Sequence, residues 1–139
     1  MGSSFQIFPI GFVRKVDDIC QIHIRDQFIE GLLGLKSFSH IYVLYWFDQN
    51  DTPDKRLTLR VHPRGNKQNP LTGVFATHSP VRPNLLAMSL CKIISISANI
   101  IQIEDIDARP DTPVIDIKCY IPPREKLDDV HTPDWVTND

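Results

Sequence analysis

The chain is patterned in short stretches in which apolar and polar residues alternate, as in half-buried β-strands. One such stretch places Cys20, Ile22 and Ile24 on one face and polar residues on the other. Together with short apolar runs, this pattern predicts strands over residues 5–13, 20–24, 41–47, 57–61, 73–76, 85–97, 100–103 and 114–121. Short strands separated by frequent turns favour a closed or nearly closed β-barrel.

The most apolar run covers residues 41–47, Ile-Tyr-Val-Leu-Tyr-Trp-Phe, and is rich in aromatic and β-branched side chains. A run of this kind predicts a central strand that is buried on both faces. Polar residues stand at its two ends, with His40 before it and Asp48 and Gln49 after it. Because pockets tend to form where buried strands end, these polar residues are candidates for a binding site.

One domain with short peripheral helices completes the predicted architecture. Asp26 can cap a short helix that has an apolar face. A length of 139 residues, with 42% hydrophobic and 23% charged residues, suits one globular domain. The fold prediction is therefore mainly β: a single closed β-barrel domain over residues 1–139, with surface tails at 1–4 and about 123–139.

Composition restricts the partners and the location of the protein. The net charge is -2, so nucleic-acid binding would need a local basic patch rather than an overall positive field. The three cysteines show no paired spacing, which indicates reduced, mostly buried thiols of a cytoplasmic protein. No apolar run approaches the ~20 residues that span a bilayer, so no membrane partner is expected. The five histidines lack the short paired spacing of a metal site, and no metal is expected.

The segment from Thr77 to Asn84 is a polar loop that two prolines make stiff. Proline fixes φ and removes a backbone donor, so the loop has few conformations available. It carries His78, Arg82 and two hydroxyl groups, which a rigid loop can hold ready for a ligand. The alternative is a rigid strand connection whose polar groups satisfy the local backbone. The residues alone leave both interpretations open.

Several familiar chemistries find no support in the motifs. No phosphate-binding glycine loop and no nucleophile elbow is present. The remaining polar residues lie mostly in loops or at strand ends, as suits a small polar ligand at one rim of a barrel. They are His40, Asp48, Gln49, His78, Arg82, Asn84, Asp107, Asp111 and Asp116.

Three blocks resemble one family in order and spacing. They are LKSFSHI at residues 35–41, GVFATHSPVRPN at 73–84 and TPVIDIKCYIP at 112–122. The family is that of the TsaA-like or YaeB-like (TrmO-type) S-adenosylmethionine-dependent tRNA methyltransferases, and the resemblance covers roughly residues 5–122. It implies a β-barrel methyltransferase that works as a homodimer and N-methylates threonylcarbamoyl-adenosine beside the tRNA anticodon.

The resemblance also implies which residues form the site. Carried over position by position, the residues that bind S-adenosylmethionine are Asp48, Gln49, His78, Leu90, Asp107 and Ala108, with Leu90 contributing its backbone. His78 and Asp111 are the candidates for taking a proton. Two departures put the affinity for the methyl donor and the substrate in question. His78 replaces an arginine, and Pro110-Asp111 stands where the family has Asp-Gly.

The substrate stays open at this point. Arg60, Arg64, Lys67 and Arg82 could form a local basic strip, so tRNA is a possible partner, whereas DNA is not expected. A small metabolite is an alternative methyl acceptor. A non-catalytic dimer that binds or senses S-adenosylmethionine is a second alternative. A partner-binding protein that docks through its proline-rich tail from Pro122 is a third.

Overall fold

A computed structural model of the protein describes residues 2–136. Within them the strands are β1 (Gly11–Val16), β2 (Ile19–Ile24), β3 (His40–Trp46), β4 (Arg60–Val61), β5 (Thr72–Gly73), β6 (Leu86–Ser97), β7 (Ile100–Ile103) and β8 (Pro113–Cys119). Short 3-10 helices cover Asp26–Leu32, Leu35–Ser37, Asp48–Asn50, Pro63–Gly65 and Val74–Ala76, and one α-helix, α1, covers Pro53–Arg56. The mainly β fold with short helices is confirmed.

The described chain divides into two compact units. The first, the barrel unit, consists of residues 2–49 and 86–120, and the second, the hairpin unit, of residues 50–85 and 121–136. Whether residues 1–139 act as one domain stays a prediction. The predicted tails are exposed and free of helix and strand over residues 2–4 and 123–134, and their ends at residues 1 and 137–139 lie outside the described part.

Six strands of the barrel unit close into a barrel in the order β1-β2-β7-β6-β3-β8. All neighbouring strands are antiparallel, and tight turns join β1 to β2 and β6 to β7. Strand β6 is long enough to serve two neighbours, because residues 86–92 pair with β3 and residues 93–97 with β7. The barrel predicted from the alternating pattern is confirmed.

The core fills the interior of the barrel with the inward-facing residues of its strands. Each fully buried aliphatic side chain contributes about 1.5–3 kcal/mol by leaving water. The cluster consists of Val13, Cys20, Ile22, Ile24, Ile41, Val43, Tyr45, Cys91, Ile101, Ile103, Ile106 and Val114. Tyr45 carries the one hydroxyl group in this cluster, so its partners matter for the site.

Strand β3 differs from its prediction on one face. Ile41, Val43 and Tyr45 are buried, but the residues between them are only half-buried. Successive side chains of a strand point to opposite sides, and here only one side is the barrel interior. The expectation that this strand is buried on both faces was therefore wrong for its outer face.

Strand β1 also begins later than predicted. The predicted strand over residues 5–13 begins only at Gly11, and continues to Val16. Gly11 lies opposite Ile24 on β2, and a side chain at this position would collide with the carbonyl oxygen of His23. The close approach of the two backbones therefore requires glycine where the strand begins.

Three local predictions fail. The predicted strand over residues 57–61 is reduced to β4, and that over residues 73–76 to β5 followed by a 3-10 turn. The two strands pair only with each other over two residues each, and within the described residues no further strand extends this ladder. Asp26 does not cap its helix, because the cap residue is Arg25 and no side-chain cap bond forms.

Candidate functional site

Strand β6 presents unpaired backbone groups on one edge. The amide of Ile93 donates to the carbonyl oxygen of Ser39 on the β3 side at 2.8 Å. Along an antiparallel ladder, hydrogen-bonded and non-hydrogen-bonded residue pairs alternate. Ser39 and Ile93 form a hydrogen-bonded pair, so Tyr42 and Leu90, three pairs further along, form a non-hydrogen-bonded pair. The N–H and C=O of Leu90 therefore point away from β3.

Among the described residues, no strand of the barrel lies on that side of β6 near Leu90. Strand β7 joins this edge only from Ile93 onward. Across residues 86–92, among the residues that the structure describes, no strand pairs with this edge. Because backbone groups seek partners, an open strand edge of this kind can hydrogen-bond a ligand.

The loop over residues 104–112, which joins β7 to β8 and is called the β7–β8 loop below, runs along the open edge. It starts there, since the amide of Glu104 donates to the carbonyl oxygen of Lys92 at 3.0 Å. Further along, Tyr45 donates its hydroxyl hydrogen to the carbonyl oxygen of Asp107 at 2.7 Å. The same hydroxyl oxygen lies 3.1 Å from Oγ of Ser89 on β6. The structure thus brings the predicted residues Leu90, Asp107 and Ala108 together.

The far side of the β7–β8 loop is fixed to β1. Lys15 donates from Nζ to the carbonyl oxygen of Ile106 at 2.7 Å. The amide of Asp111 donates to the carbonyl oxygen of Val13 at 2.8 Å, and the amide of Val13 donates to that of Thr112 at 2.9 Å. Glu104 holds the loop at its start and the bonds to Val13 hold it at its end, while Ile106 between them is buried in the core.

Asp111 occupies a left-handed backbone conformation, with φ of 68°. Glycine adopts this conformation without cost, and aspartate is among the side-chain-bearing residues that tolerate it best. The resemblance predicts glycine at this position, and the structure explains why. The replacement keeps the shape of the loop and adds an exposed carboxylate at the barrel rim.

Asp48 and Gln49 lie at the same end of the barrel. They form the 3-10 turn that directly follows β3, and both are exposed. Tyr45, three residues earlier, pairs with Val114 at the start of β8, where the β7–β8 loop ends. The end of β3 and the β7–β8 loop therefore share one rim.

The predicted polar loop in the hairpin unit is rigid, as its prolines indicate. Thr77 donates from Oγ1 to the carbonyl oxygen of Val74 at 2.8 Å and accepts from the amide of Ser79 at 3.1 Å. Ser79 in turn accepts on Oγ from the amide of Val81 at 3.2 Å. His78 sits between these braced residues with its side chain exposed.

Arg82 braces this loop. Its Nη1 donates to the carbonyl oxygens of Thr77 and Ser79, at 3.3 and 3.2 Å, and the residue is half-buried. The interpretation of the loop as a stiff connection with satisfied polar groups therefore holds for Arg82 and both hydroxyls. His78 and Asn84 are the polar side chains of this loop that are exposed to solvent.

The other three predicted basic residues are exposed and lie close together in the sequence of the hairpin unit. Arg60 lies on β4, Arg64 in the 3-10 turn that follows it, and Lys67 three residues further on. From residue 55 to residue 85 the chain contains six lysines and arginines and no aspartate or glutamate. This segment is therefore strongly cationic, although the net charge of the chain is -2.

Cysteine, metal and membrane chemistry add little to the site. Burial raises the pKa of the Cys20 and Cys91 thiols, that of Cys91 to about 11, so both are protonated at neutral pH. In residues 2–136 no cluster of three histidine, cysteine or acidic side chains could hold a metal ion. No helix in the described part of the chain is long and apolar enough to cross a membrane.

Comparison with known proteins identifies the family. Residues 8–126 match the model of the tRNA-methyltransferase O N-terminal domain. The chain belongs to this family. Its fold is also that of a TrmO from Pseudomonas aeruginosa, with a TM-score of 0.70 and 24% identity over 94% of this chain. The chain spans 62% of the length of that TrmO.

Two relatives of this chain differ in how much of their own length matches it. A probable S-adenosyl-L-methionine-binding protein of Methanocaldococcus jannaschii is 48% identical over 124 residues, which are 89% of this chain and 96% of the relative. A tRNA (adenine(37)-N6)-methyltransferase of Rattus norvegicus is 38% identical over 90 residues, which are 65% of this chain and 20% of the relative.

Tyr45 is the residue at this rim that sequence reasoning missed. It lies in the most apolar run of the chain and was interpreted as core. Its two partners, Ser89 and Asp107, are 44 and 62 residues away in the sequence. The available signal was a hydroxyl group in a buried run, since a buried tyrosine hydroxyl usually finds a partner.

Proposed function

We propose that the protein binds S-adenosylmethionine and transfers its methyl group to a nitrogen of a modified adenosine in tRNA. Membership in the tRNA-methyltransferase O family supports the reaction class. The observation that carries the proposal is the open edge of β6 with the β7–β8 loop beside it, a region that is called the donor cleft below. It combines free backbone groups with carboxylates at one barrel rim.

The chemistry of the donor cleft fits S-adenosylmethionine. An adenine edge offers one acceptor nitrogen and one amino donor, which matches an N–H and a C=O directed to the same side, as at Leu90. The cationic ammonium and sulfonium groups suit a carboxylate, and Asp107 supplies one. In this proposal Ala108 contributes its backbone, and Asp48 and Gln49 bind further polar atoms from the same rim.

When bound, S-adenosylmethionine would supply a methyl group on a cationic sulfur: the lone pair of the acceptor nitrogen would bond to the methyl carbon as its bond to sulfur breaks, and the neutral thioether would leave. The protein's part is placement, because holding both reactants in line supplies much of the rate. The acceptor nitrogen must also lose a proton. Asp111 and His78 are the proposed proton acceptors, and their exposure gives each access to solvent. Single replacements Asp111→Asn and His78→Gln assign the role by the loss of kcat at saturating donor.

The proposed acceptor is N6 of threonylcarbamoyl-adenosine beside the anticodon. The cationic segment of residues 55–85 supports RNA binding, since lysine and arginine neutralise phosphates and release counterions. Arg60, Arg64 and Lys67 are the exposed candidates for phosphate contacts. In this proposal Arg82 acts on RNA through the loop that it braces.

The deciding experiment has two stages. Calorimetry with S-adenosylmethionine measures donor binding, and no heat at millimolar donor would rule out the proposal. Labelled donor is then incubated with total tRNA, and the nucleosides are separated after digestion. We expect label in a modified adenosine, lost when the tRNA comes from cells that cannot make threonylcarbamoyl-adenosine. Label in ordinary adenosine would exclude that acceptor.

Charge reversal separates the donor site from the RNA surface. Arg60→Glu combined with Lys67→Glu should weaken tRNA binding at least tenfold and leave the affinity for S-adenosylmethionine unchanged. The matched control is Lys36→Glu, which reverses an exposed charge of the barrel unit. Equal losses in the control and the double variant would exclude the hairpin unit as the RNA surface.

A non-catalytic protein that binds S-adenosylmethionine is the second candidate. One observation favours it: the relative that this chain covers almost completely is named for binding, whereas the rat methyltransferase is about five times longer than the matched region. Donor binding without label in tRNA or in a metabolite extract would support this candidate. Label in a small metabolite alone would indicate a methyltransferase with a different acceptor.

We also propose that two copies of the chain associate through the outer face of β6. Large apolar side chains are exposed there in a row, with Met88 67% and Leu90 50% accessible. Leu86 and Ile94 extend the row, and Tyr42 and Leu44 on β3 lie beside it. Light scattering should give a dimer for the wild type and a monomer for Met88→Glu. Leu57→Glu, an exposed apolar residue of the hairpin unit, is the control and should stay dimeric.

A further inference from the structure

Tyr45 connects three elements at the wall of the donor cleft. Its side chain is 4% exposed and projects from β3 into the barrel. The hydroxyl donates to the carbonyl oxygen of Asp107 at 2.7 Å and lies 3.1 Å from Oγ of Ser89. Because it has one hydrogen to donate, Ser89 is the donor in the second contact. A single phenol therefore links β3, β6 and the β7–β8 loop.

The bond to Asp107 orients a whole peptide group. In a planar trans peptide the C=O of one residue and the N–H of the next point in opposite directions. Since the carbonyl of Asp107 turns inward to Tyr45, the N–H of Ala108 turns outward from the barrel interior. The Asp107–Ala108 peptide thus presents a backbone donor at the rim where the donor cleft opens.

We propose that Tyr45 is a positioning residue for S-adenosylmethionine binding, which sets the orientation of the Asp107–Ala108 peptide relative to Ser89 and Leu90. The inference rests on the proposed function of the donor cleft. Tyr45 does not touch the ligand, and acts through the Ala108 N–H and through the spacing between the β7–β8 loop and β6.

Two further features make Tyr45 suitable for this role. Its ring packs edge-on against Phe47, with the centroids 6.0 Å apart and the planes at 72°, which fixes the direction of the hydroxyl. Burial raises the pKa of the Tyr45 hydroxyl, so it remains a protonated donor through the neutral and mildly alkaline range. Through that range the phenol can therefore donate its hydrogen to the Asp107 carbonyl.

The test is Tyr45→Phe, which removes one oxygen and keeps the ring. We expect the Kd for S-adenosylmethionine to rise about tenfold, the equivalent of one misplaced hydrogen bond. We expect kcat at saturating donor to stay within twofold, because the acceptor side is untouched. Ser89→Ala, which removes only the second contact, should show a smaller rise. Tyr120→Phe, which removes a hydroxyl group just after the end of β8, is the control and should bind like the wild type.

A measurement on the protein without ligand distinguishes a positioning role of Tyr45 from a general contribution to stability. Hydrogen exchange at the Ala108 amide should accelerate in Tyr45→Phe while amides of β2 and β7 stay protected. If the variant loses protection throughout the barrel, the hydroxyl is merely structural. Wild-type binding with an unchanged Kd in Tyr45→Phe would overturn this inference alone. Absence of donor binding to the wild type would instead overturn the proposed function and the inference with it.

Discussion

The two units of the protein are stabilised in different ways. Every residue of the hydrophobic core cluster belongs to the barrel unit. Within the described part of the hairpin unit, only Pro63, Val74 and Leu85 are buried. Its structure depends instead on polar side chains that bond to the backbone, such as Arg56 to Pro83 at 2.8 Å. Apolar packing thus holds the barrel, and local hydrogen bonds hold the hairpin unit.

The units also differ in charge. The hairpin unit contains eight lysines and arginines against six aspartates and glutamates, with six against two in residues 50–85, whereas the barrel unit contains seven against ten. A segment with few buried apolar residues can carry many charges, because its cations stay hydrated. The comparison suggests a division of roles in the proposed function, with the cofactor on the barrel rim and RNA on the cationic surface.

The largest expected effect is the loss of a barrel core side chain. Ile41→Ala should lower the free energy of unfolding by about 3 kcal/mol, because Ile41 is fully buried in the closed barrel. Val74→Ala in the hairpin unit removes a smaller buried side chain and should cost about 1–2 kcal/mol. Urea unfolding measures both, with exposed Leu57→Ala as control. A larger loss for Val74→Ala would show that the core is not confined to the barrel.

A further effect of burial in the barrel unit should appear at alkaline pH. The pKa of Cys91 in the barrel is raised by burial from 9.0 to about 11. Between these values the unfolded chain releases the thiol proton and the folded chain keeps it, so stability falls as pH rises. The fall should reach about 2 kcal/mol at the end of this window. In Cys91→Ala the free energy of unfolding should fall by about 2 kcal/mol less over this pH range. Cys119→Ala, which removes a half-buried thiol and leaves Cys91 in place, should lose as much stability as the wild type.

In the hairpin unit the corresponding test is loss of a polar brace. Arg82→Met keeps much of the side-chain volume but removes the donor to the Thr77 and Ser79 carbonyls. We expect a loss of about 1–2 kcal/mol of local stability. Limited proteolysis should then cut within residues 77–84, while urea unfolding of the barrel changes little. A global loss of stability with no new cleavage would contradict the local character of this brace.

The smallest effects should come from backbone strain. Asp111 in the barrel unit and Arg64 in the hairpin unit both have left-handed φ angles, of 68° and 59°. Replacing either by glycine relieves the strain at some cost in unfolded-state entropy, so a gain of up to about 1 kcal/mol is expected. Asp111→Ala, which keeps the strain, is the control. Thermal unfolding that ranks Asp111→Ala above Asp111→Gly would show that the turn is not strained.

The barrel was predictable because its strands carry the alternating pattern themselves. Strands β2, β6 and β7 and the turn at Ala98-Asn99 lie close to the predicted positions. The hairpin unit was not predictable in the same way, since β4 and β5 contain two residues each and any longer alternation there has no sheet to join. The residues of the donor cleft could be found only from the family resemblance and the structure together. Leu90 and Asp107 came from the family resemblance, and Tyr45 emerged only once residues far apart in sequence were placed together.

The open edge of β6 has a consequence for solubility. Exposed strand edges are templates on which a strand from another molecule can pair, which leads to aggregation. The Glu104 amide caps this edge at Lys92, and the link from Tyr45 to Asp107 keeps the following loop residues beside it. The β7–β8 loop therefore hinders pairing of this edge with a strand of another molecule, besides forming one side of the donor cleft. A change that releases the loop is therefore expected to leave this edge free to pair with a strand of another molecule.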